Sequence, residues 1–140
     1  SQKKSEVLTN ILDSSRDLER IGDHGEALIN LTDYIRRKKV EFSPAALQEL
    51  DLIYNMTLSF IKESLKSVED NDIELANSLV AKHEAIDKME RRLRKTHIHR
   101  LNRGECSTQA GVNFIDIISH YTRVADHAMN LAEKVQAEQI

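Results

Sequence analysis

Apolar residues recur at helical spacing along almost the whole chain. Between positions 6 and 40 they fall into two heptad rows, with Val7, Ile21, Leu28 and Ile35 in one and Ile11 and Leu18 in the other. A heptad repeat sustained over this length predicts one long helix. Ser43 and Pro44 follow, and a serine N-cap with proline at the first helical position predicts the start of a second helix.

The same spacing continues to the end of the chain. The inward rows that it predicts are Leu47, Leu50, Tyr54, Leu58, Ile61, Leu65 and Val68 in the second helix, Ala76, Leu79, His83, Ile86, Glu90, Leu93 and His97 in the third, and Phe114, Ile118, Tyr121, Ala125, Ala128, Ala132 and Val135 in the fourth. The four predicted helices span approximately residues 6–40, 44–69, 72–103 and 107–138. Because connections of about 3–6 residues favour antiparallel neighbours, we expect an all-α fold, an antiparallel up-down bundle of four long helices.

Composition restricts the classes of function. The 140 residues suit one domain, residues 1–140, and a net charge of −3 with 4% aromatic residues argues against nucleic-acid binding. No apolar run approaches the ~20 residues of a membrane span. The lone Cys106 excludes an internal disulfide and a cysteine-cluster zinc site, and we interpret it as a loop residue. The sequence begins at Ser1 without an initiator methionine, so we expect a piece of a longer protein.

A five-residue turn occurs twice, at residues 20–24 and 123–127. Arginine, aspartate and histidine occupy the same places in both copies, which puts Asp23 and Asp126 at equivalent positions. In the first copy Glu19 precedes Asp23 by four residues, so both carboxylates project from one helix face and are able to bind a cation. The alternative is a structural turn held by salt bridges, and the spacing alone leaves both interpretations open.

Two glycines, Gly22 and Gly25, flank Asp23, although glycine inside a helix costs about 1 kcal/mol relative to alanine. Small residues let helix backbones approach, and Ala125 and Ala128 occupy the equivalent places in the second copy. We therefore predict a close helix–helix contact at this turn, which would bring carboxylates of neighbouring helices to a shared ion.

A third pair of ligand-type residues lies on the third helix. His83 and Asp87 are four residues apart, and His83 belongs to the inward row. A lone inward histidine is either a hydrogen-bonded core residue or, if Asp126 faces it, a metal ligand. The candidate metal ligands are thus Glu19, Asp23, His83, Asp87 and Asp126.

The end of the third helix is strongly basic, through Arg91, Arg92, Arg94, Lys95, Arg100 and Arg103. These charges either complement the helix dipole on a solvated face, or they form a contact surface for anionic lipid headgroups, phosphate or an acidic partner. Signatures of catalysis are missing from the sequence, since no glutamate precedes a histidine at the di-iron Glu-x-x-His spacing and no Gly-x-Ser-x-Gly or P-loop occurs. We expect a protein that is not an enzyme.

The segment Asp17–His24 resembles the signature helix of PhoU-like domains, which carries a Glu-x-x-x-Asp metal motif. A longer likeness runs in order through Phe42–Leu50, Glu84–Asp87, His99–Cys106 and Asp116–Glu133. Together these segments resemble the cytoplasmic PhoU-like tail of bacterial sodium/phosphate cotransporters. The likeness covers nearly the whole chain.

This resemblance implies a non-enzymatic regulatory domain at the cytoplasmic face of the membrane, joined to a transporter domain of the same polypeptide and modulating phosphate uptake. The family is built of three-helix units that bind metal through paired acid-x-x-x-Asp motifs on two of their helices. By that pattern the second to fourth helices form a complete unit, and the first resembles the last helix of a preceding unit. A free-standing PhoU-type regulator and a metal-free helical interaction module are the alternatives.

The chain departs from the family's motif in the complete unit. The four expected acids fall on His83, Asp87, Thr122 and Asp126, so two of them are not carboxylates. Histidine in place of an acid shifts the preference from Mg²⁺ or Ca²⁺ towards iron, Zn²⁺ or Mn²⁺. The incomplete set predicts weak metal binding or a need for a second chain. The polar face of the third helix and the unpaired motif of the first indicate self-association as a homodimer.

Overall fold

Four α-helices make up residues 1–138, the part of the chain that the computed structural model describes. They are α1 (Gln2–Arg37), α2 (Pro44–Glu69), α3 (Ile73–Asn102) and α4 (Thr108–Gln136), and no strand occurs within residues 1–138. The predicted all-α fold is confirmed. None of these helices combines the length and the apolar character needed to cross a bilayer.

Local capping chemistry fixes where the helices begin. The side chains of Ser43, Asp72 and Ser107 accept hydrogen bonds at 2.9–3.1 Å from backbone amides three residues further on. Each bond satisfies one of the amides that a helix N-terminus leaves unpaired. Ser1 caps α1 in the same way, so this helix begins at Gln2, earlier than the sequence pattern predicts.

All four helices end alike. The residue after each C-cap has a positive φ, namely Lys39 (52°), Asn71 (48°), Gly104 (70°) and Glu138 (55°). After the first three of these, the next backbone amide donates to a carbonyl of the last helical turn, as Val40 N does to Ile35 O at 3.0 Å. This Schellman arrangement ends α1 at Arg37, although the apolar pattern continues to Val40.

Helices α2, α3 and α4 pack against one another, whereas within residues 1–138 the backbone of α1 approaches α4 alone. α1 runs antiparallel to α4, because Asp17 contacts Lys134 and His24, further along α1, contacts His120. The up-down order agrees with the prediction. The architecture is a three-helix unit with one more helix laid along α4.

The inward rows predicted for α3 and α4 face the core. Their buried members are Ala76, Leu79, Ile86, Glu90, Leu93 and His97 in α3, and Phe114, Ile118, Ala125, Ala128, Ala132 and Val135 in α4. His83 and Tyr121, which were also predicted to point inward, are half-buried. The unusually polar face of α3 therefore does pack inward.

The inward row predicted for α2 is right only in part: Leu47, Tyr54 and Leu65 are exposed, whereas Leu50, Ile61 and Val68 are half-buried and pack against the core. The residues of α2 that are buried are Ala46, Ile53, Thr57, Phe60, Ser64 and Ser67. Small hydroxyl residues form half of this face, and two of the three have hydrogen-bond partners at short range, whereas Thr57 Oγ1 has none among the described residues. Ser64 Oγ donates to the carbonyl oxygen of Ala128 at 2.5 Å, and Ser67 Oγ donates to that of Ser64 at 2.7 Å. A search for apolar spacing does not detect such a face.

Much of the apolar surface of α1 and α2 stays accessible. Leu47 and Tyr54 of α2 are 54% and 44% exposed, and Leu18 of α1 is 49% exposed. Ile21 and Leu28 line a cavity of about 150 Å³ between α1, α2 and α4. The attachment of α1 therefore depends on its contacts with α4.

The close helix contact predicted at Gly22 and Gly25 is wrong. A Cβ atom added at either residue would meet no neighbouring atom within 4 Å. The equivalent Ala125 and Ala128 of α4 are buried, so close packing occurs in the second copy of the turn only.

We expect Gly22→Ala and Gly25→Ala each to raise the free energy of unfolding by about 0.5–1 kcal/mol, because alanine favours the helix and its methyl group finds open space. Urea unfolding followed by circular dichroism measures the change. Gly111→Ala is the contrasting variant, since its Cβ would lie 2.6 Å from Leu101 Cδ2 and Leu101 would have to move. Equal gains at all three positions would contradict this account.

Candidate metal centre

Three of the predicted ligands meet at the surface between α3 and α4. His83 Nε2 lies 2.8 Å from Asp126 Oδ1, and His83 Nδ1 lies 4.0 Å from Asp87 Oδ2. One ligand atom from each residue lies within 4.8 Å of the other two, and residues 1–138 contain no other such group of three. Asp126 thus faces His83, the arrangement that a metal-ligand role for this histidine requires.

Helix geometry accounts for this meeting. His83 and Asp87 stand one turn apart on α3, and Asp126 projects from the neighbouring α4. The His83 ring lies against Phe60 with the ring centroids 5.9 Å apart, which restricts the rotation of the imidazole. The side chains of His83 and Asp126 are 22% and 53% exposed. The site is therefore anchored at the histidine and open to solvent at Asp126.

This donor set suits a divalent ion. Atoms bound to one ion at 2.0–2.2 Å stand about 3–4.4 Å from one another, so a spread of up to 4.8 Å among the three ligand atoms is close to what a shared ion requires. With a neutral imidazole the site carries two negative charges, which a cation would balance. One imidazole beside two carboxylates favours Zn²⁺, Mn²⁺ or iron over Mg²⁺ and Ca²⁺.

Thr122 occupies the position where the family's motif has a fourth acid. Its Oγ1 donates to the carbonyl oxygen of Ile118 at 2.9 Å, one turn back on α4. The hydroxyl is thus engaged with its own helix, and the cluster offers three candidate ligands.

Glu19 and Asp23 lie apart from this cluster. Both side chains belong to exposed residues of α1, one turn from each other. The helix that carries them lies along α4 beside His120 and His127, away from the α3 residues His83 and Asp87. A metal site at Glu19 and Asp23 stays a prediction.

The two copies of the repeated turn meet through their histidines. The rings of His24 and His127 stack with their centroids 5.9 Å apart and an angle of 29° between the planes. Asp23 and Asp126, the equivalent acids, are both exposed. Burial and neighbouring positive groups lower the pKa of His24. The repeat therefore brings imidazoles together across the α1–α4 contact, where the sequence predicts carboxylates.

A buried carboxylate of α1 was not predicted from the sequence. Asp17 is 8% exposed and accepts hydrogen bonds from His127 Nδ1 at 2.9 Å, Asn130 Nδ2 at 3.1 Å and Lys134 Nζ at 3.3 Å. Burial raises the pKa of Asp17, but these hydrogen bonds outweigh it and hold the pKa below its ordinary value of 3.8. The ionised carboxylate ties α1 to α4. The available signal was His127 and Lys134, two polar residues at heptad spacing on α4.

Cys106 lies in the α3–α4 loop, as predicted, with Sγ 3.7 Å from Nε2 of the buried His97. His97 stacks on Phe114 with the ring centroids 4.1 Å apart, and burial lowers the pKa of His97. A neutral imidazole gives no charge stabilisation to a thiolate. The imidazole of this pair therefore supplies no positive charge to the thiol.

The basic end of α3 is partly neutralised within the bundle. Arg94 donates to Glu90 at 2.8 Å, and Arg100 pairs with Glu49 of α2. The basic side chains of this region that belong to exposed residues are Arg91, Arg92, Lys95 and Arg103.

Comparison with known proteins places this architecture in a family. The profile of the PhoU domain matches residues 50–135, most of the three-helix unit. The chain is 32% identical over 133 residues to phosphate-specific transport system accessory protein PhoU homolog 1 of Thermotoga maritima, covering 95% of this chain and 56% of that protein. It is 28% identical over 125 residues to the phosphate-specific transport system accessory protein PhoU homolog of Streptococcus pneumoniae, covering 89% of this chain and 56% of that protein.

The chain thus spans about half the length of the curated relatives that it matches. No solved structure matches it significantly. The domain match extends over more than half of the chain and includes His83, Asp87 and Asp126. The chain therefore belongs to the PhoU family.

Proposed function

We propose that this chain regulates phosphate transport as a PhoU-type domain without catalytic activity of its own. The observation that carries the proposal is the PhoU domain match over residues 50–135, which hold both the three-helix core and the His83 cluster. Relatives named as accessory proteins of phosphate-specific transport support it. They favour an accessory regulator over a domain fused to a transporter.

Attachment to a sodium/phosphate cotransporter is the second interpretation. The ordered likeness of segments such as His99–Cys106 to the cotransporter tails supports it. In that form the domain would lie at the cytoplasmic face of the membrane, with Arg91, Arg92 and Lys95 available to anionic groups. The reading frame upstream of Ser1 separates the two, because several apolar spans of ~20 residues would mean a transporter and a further helical unit would mean an accessory protein.

Uptake of radiolabelled phosphate tests the regulatory role in cells that carry the full-length gene. We expect deletion of the gene to change how uptake responds to external phosphate, and a plasmid copy to restore the response. A copy with Asp87→Asn and Asp126→Asn is expected to restore it less well. Uptake that is the same with and without the gene would overturn the proposal.

We further propose that His83, Asp87 and Asp126 bind one iron, zinc or manganese ion, because their ligand atoms already lie within 4.8 Å of one another. Asp126→Asn is expected to weaken metal binding by about 10-fold or more, since even residues that only support a ligand contribute that much. Titration of the purified chain and elemental analysis measure the effect. Asp116→Asn, an exposed residue of the same helix, serves as the control.

One result would contradict the proposed metal site. Equal, near-zero occupancy in the wild type and both variants, after growth with all three metals, would leave the metal-free helical module. The uptake experiment would then still decide whether the domain regulates transport.

A further inference from the structure

A histidine pair bridges α1 and α4 away from the His83 cluster. His24 Nδ1 of α1 lies 3.0 Å from His120 Nδ1 of α4, and the ring centroids are 5.2 Å apart. Both residues are half-buried. Two ring nitrogens this close either share one hydrogen or point their lone pairs at a common cation.

The separation of these nitrogens is close to that of two ligands on one ion. In a tetrahedral site with Zn–N bonds of 2.0–2.1 Å, two nitrogen ligands stand about 3.3 Å apart. The pair therefore needs to open by only a few tenths of an ångström to admit a metal. Water is able to supply the remaining positions from the exposed side.

The surroundings hold the rings in place. His127 stacks on His24, and the His127 ring is itself oriented by its Nδ1 contact with Asp17 Oδ1 at 2.9 Å. Stacking against a hydrogen-bonded ring restricts the rotation of the His24 imidazole. Of the charged residues beside His24, Asp23 favours a cation and Arg123 opposes it.

We propose that His24 and His120 bind a divalent transition ion that prefers imidazole ligands, such as Zn²⁺, Ni²⁺ or Cu²⁺, across the α1–α4 contact. The ligands come from two helices, so the ion stabilises the docking of one helix on the other. No other helix approaches the backbone of α1 within residues 1–138, and Asp17 is its one buried residue. Metal binding at this pair therefore controls how firmly α1 is held.

The test uses the 140-residue chain with Asp87→Asn and Asp126→Asn, which removes the first cluster as a competing site. We expect this protein to bind one equivalent of Zn²⁺ in calorimetric titration, and the affinity to fall by at least about 10-fold on adding His120→Gln. His24→Gln, on the other helix, is expected to give the same loss. His99→Gln, an exposed histidine of α3, is the matched control and is expected to leave the affinity unchanged.

Hydrogen exchange supplies the second measurement. Saturating Zn²⁺ is expected to slow amide exchange in α1 of the parent protein, and to leave that exchange unchanged when His120→Gln is present. Zn²⁺ affinity that is equal in the His120→Gln and His99→Gln proteins would overturn the proposal. Zinc binding without any slowing of α1 exchange, or no zinc binding at all, would overturn it too. Because the first cluster is absent throughout, these outcomes are independent of the proposed His83 site.

Discussion

Phe114→Ala is expected to lower the free energy of unfolding by about 3–5 kcal/mol, the usual range for truncating a buried aromatic residue. Phe114 is fully buried in a cluster with Ile53, Leu93 and Ile118, one residue each from α2, α3 and α4. Its ring also stacks on His97 with only 6° between the planes. The substitution therefore leaves a cavity where the three helices meet.

Urea unfolding followed by circular dichroism measures this loss. Val112→Ala is the matched control, because Val112 lies on the same helix and is 50% exposed. Its expected effect is within about 0.5 kcal/mol. Similar losses in the two variants would mean that Phe114 does not hold the three-helix unit together.

Asp17→Asn is expected to lower the free energy of unfolding by about 2 kcal/mol, because a hydrogen-bonded charge is lost and a buried cation is left without its partner. The side chain of that cation, Lys134, is only 13% exposed. Since α4 is the one helix whose backbone approaches α1 within the described chain, the loss is expected to appear first as faster hydrogen exchange in α1. Asp13→Asn, an exposed aspartate one turn away, is the control.

The pH dependence of this variant follows from the lowered pKa of Asp17. A carboxylate whose pKa is depressed in the folded protein contributes its stability above its ordinary value of 3.8 and loses it as the pH falls. The difference between wild type and Asp17→Asn is therefore expected to be complete at neutral pH and to shrink below about pH 3.8. A difference that persisted undiminished at pH 2 would show that the charge of Asp17 is not the cause.

The helices and the inward faces of α3 and α4 could be predicted because local rules determine them. Ser43 and Ser107 cap their helices through bonds within one turn, and the apolar rows of α3 and α4 are long and regular. The buried face of α2 could not be predicted in this way. Its Ser64 can be buried because the hydroxyl donates to a carbonyl of α4 that is distant in the sequence. Apolar spacing does not report burial where a polar residue finds such a partner.

For the candidate sites too, local spacing could be predicted from the sequence and contacts between distant segments could not. His83, Asp87 and Asp126 were found from helical spacing and from a repeat, both of which are visible in one sequence. The pairing of His24 with His120 depends on how α1 and α4 are aligned, and nothing in the spacing gives that alignment. The glycines were misread because their cost was attributed to a close contact, whereas they face open space.

The non-glycine residues with positive φ that follow the helices are positions where substitution by glycine would raise the free energy of unfolding. Lys39 and Glu138 have side chains where glycine would be free of strain, and each such residue costs about 1 kcal/mol. Natural sequences are selected to fold well enough and no further, so such positions persist. Glycine at Lys39 and Glu138 is therefore expected to make the domain more thermostable without any change to the core or to the histidine sites.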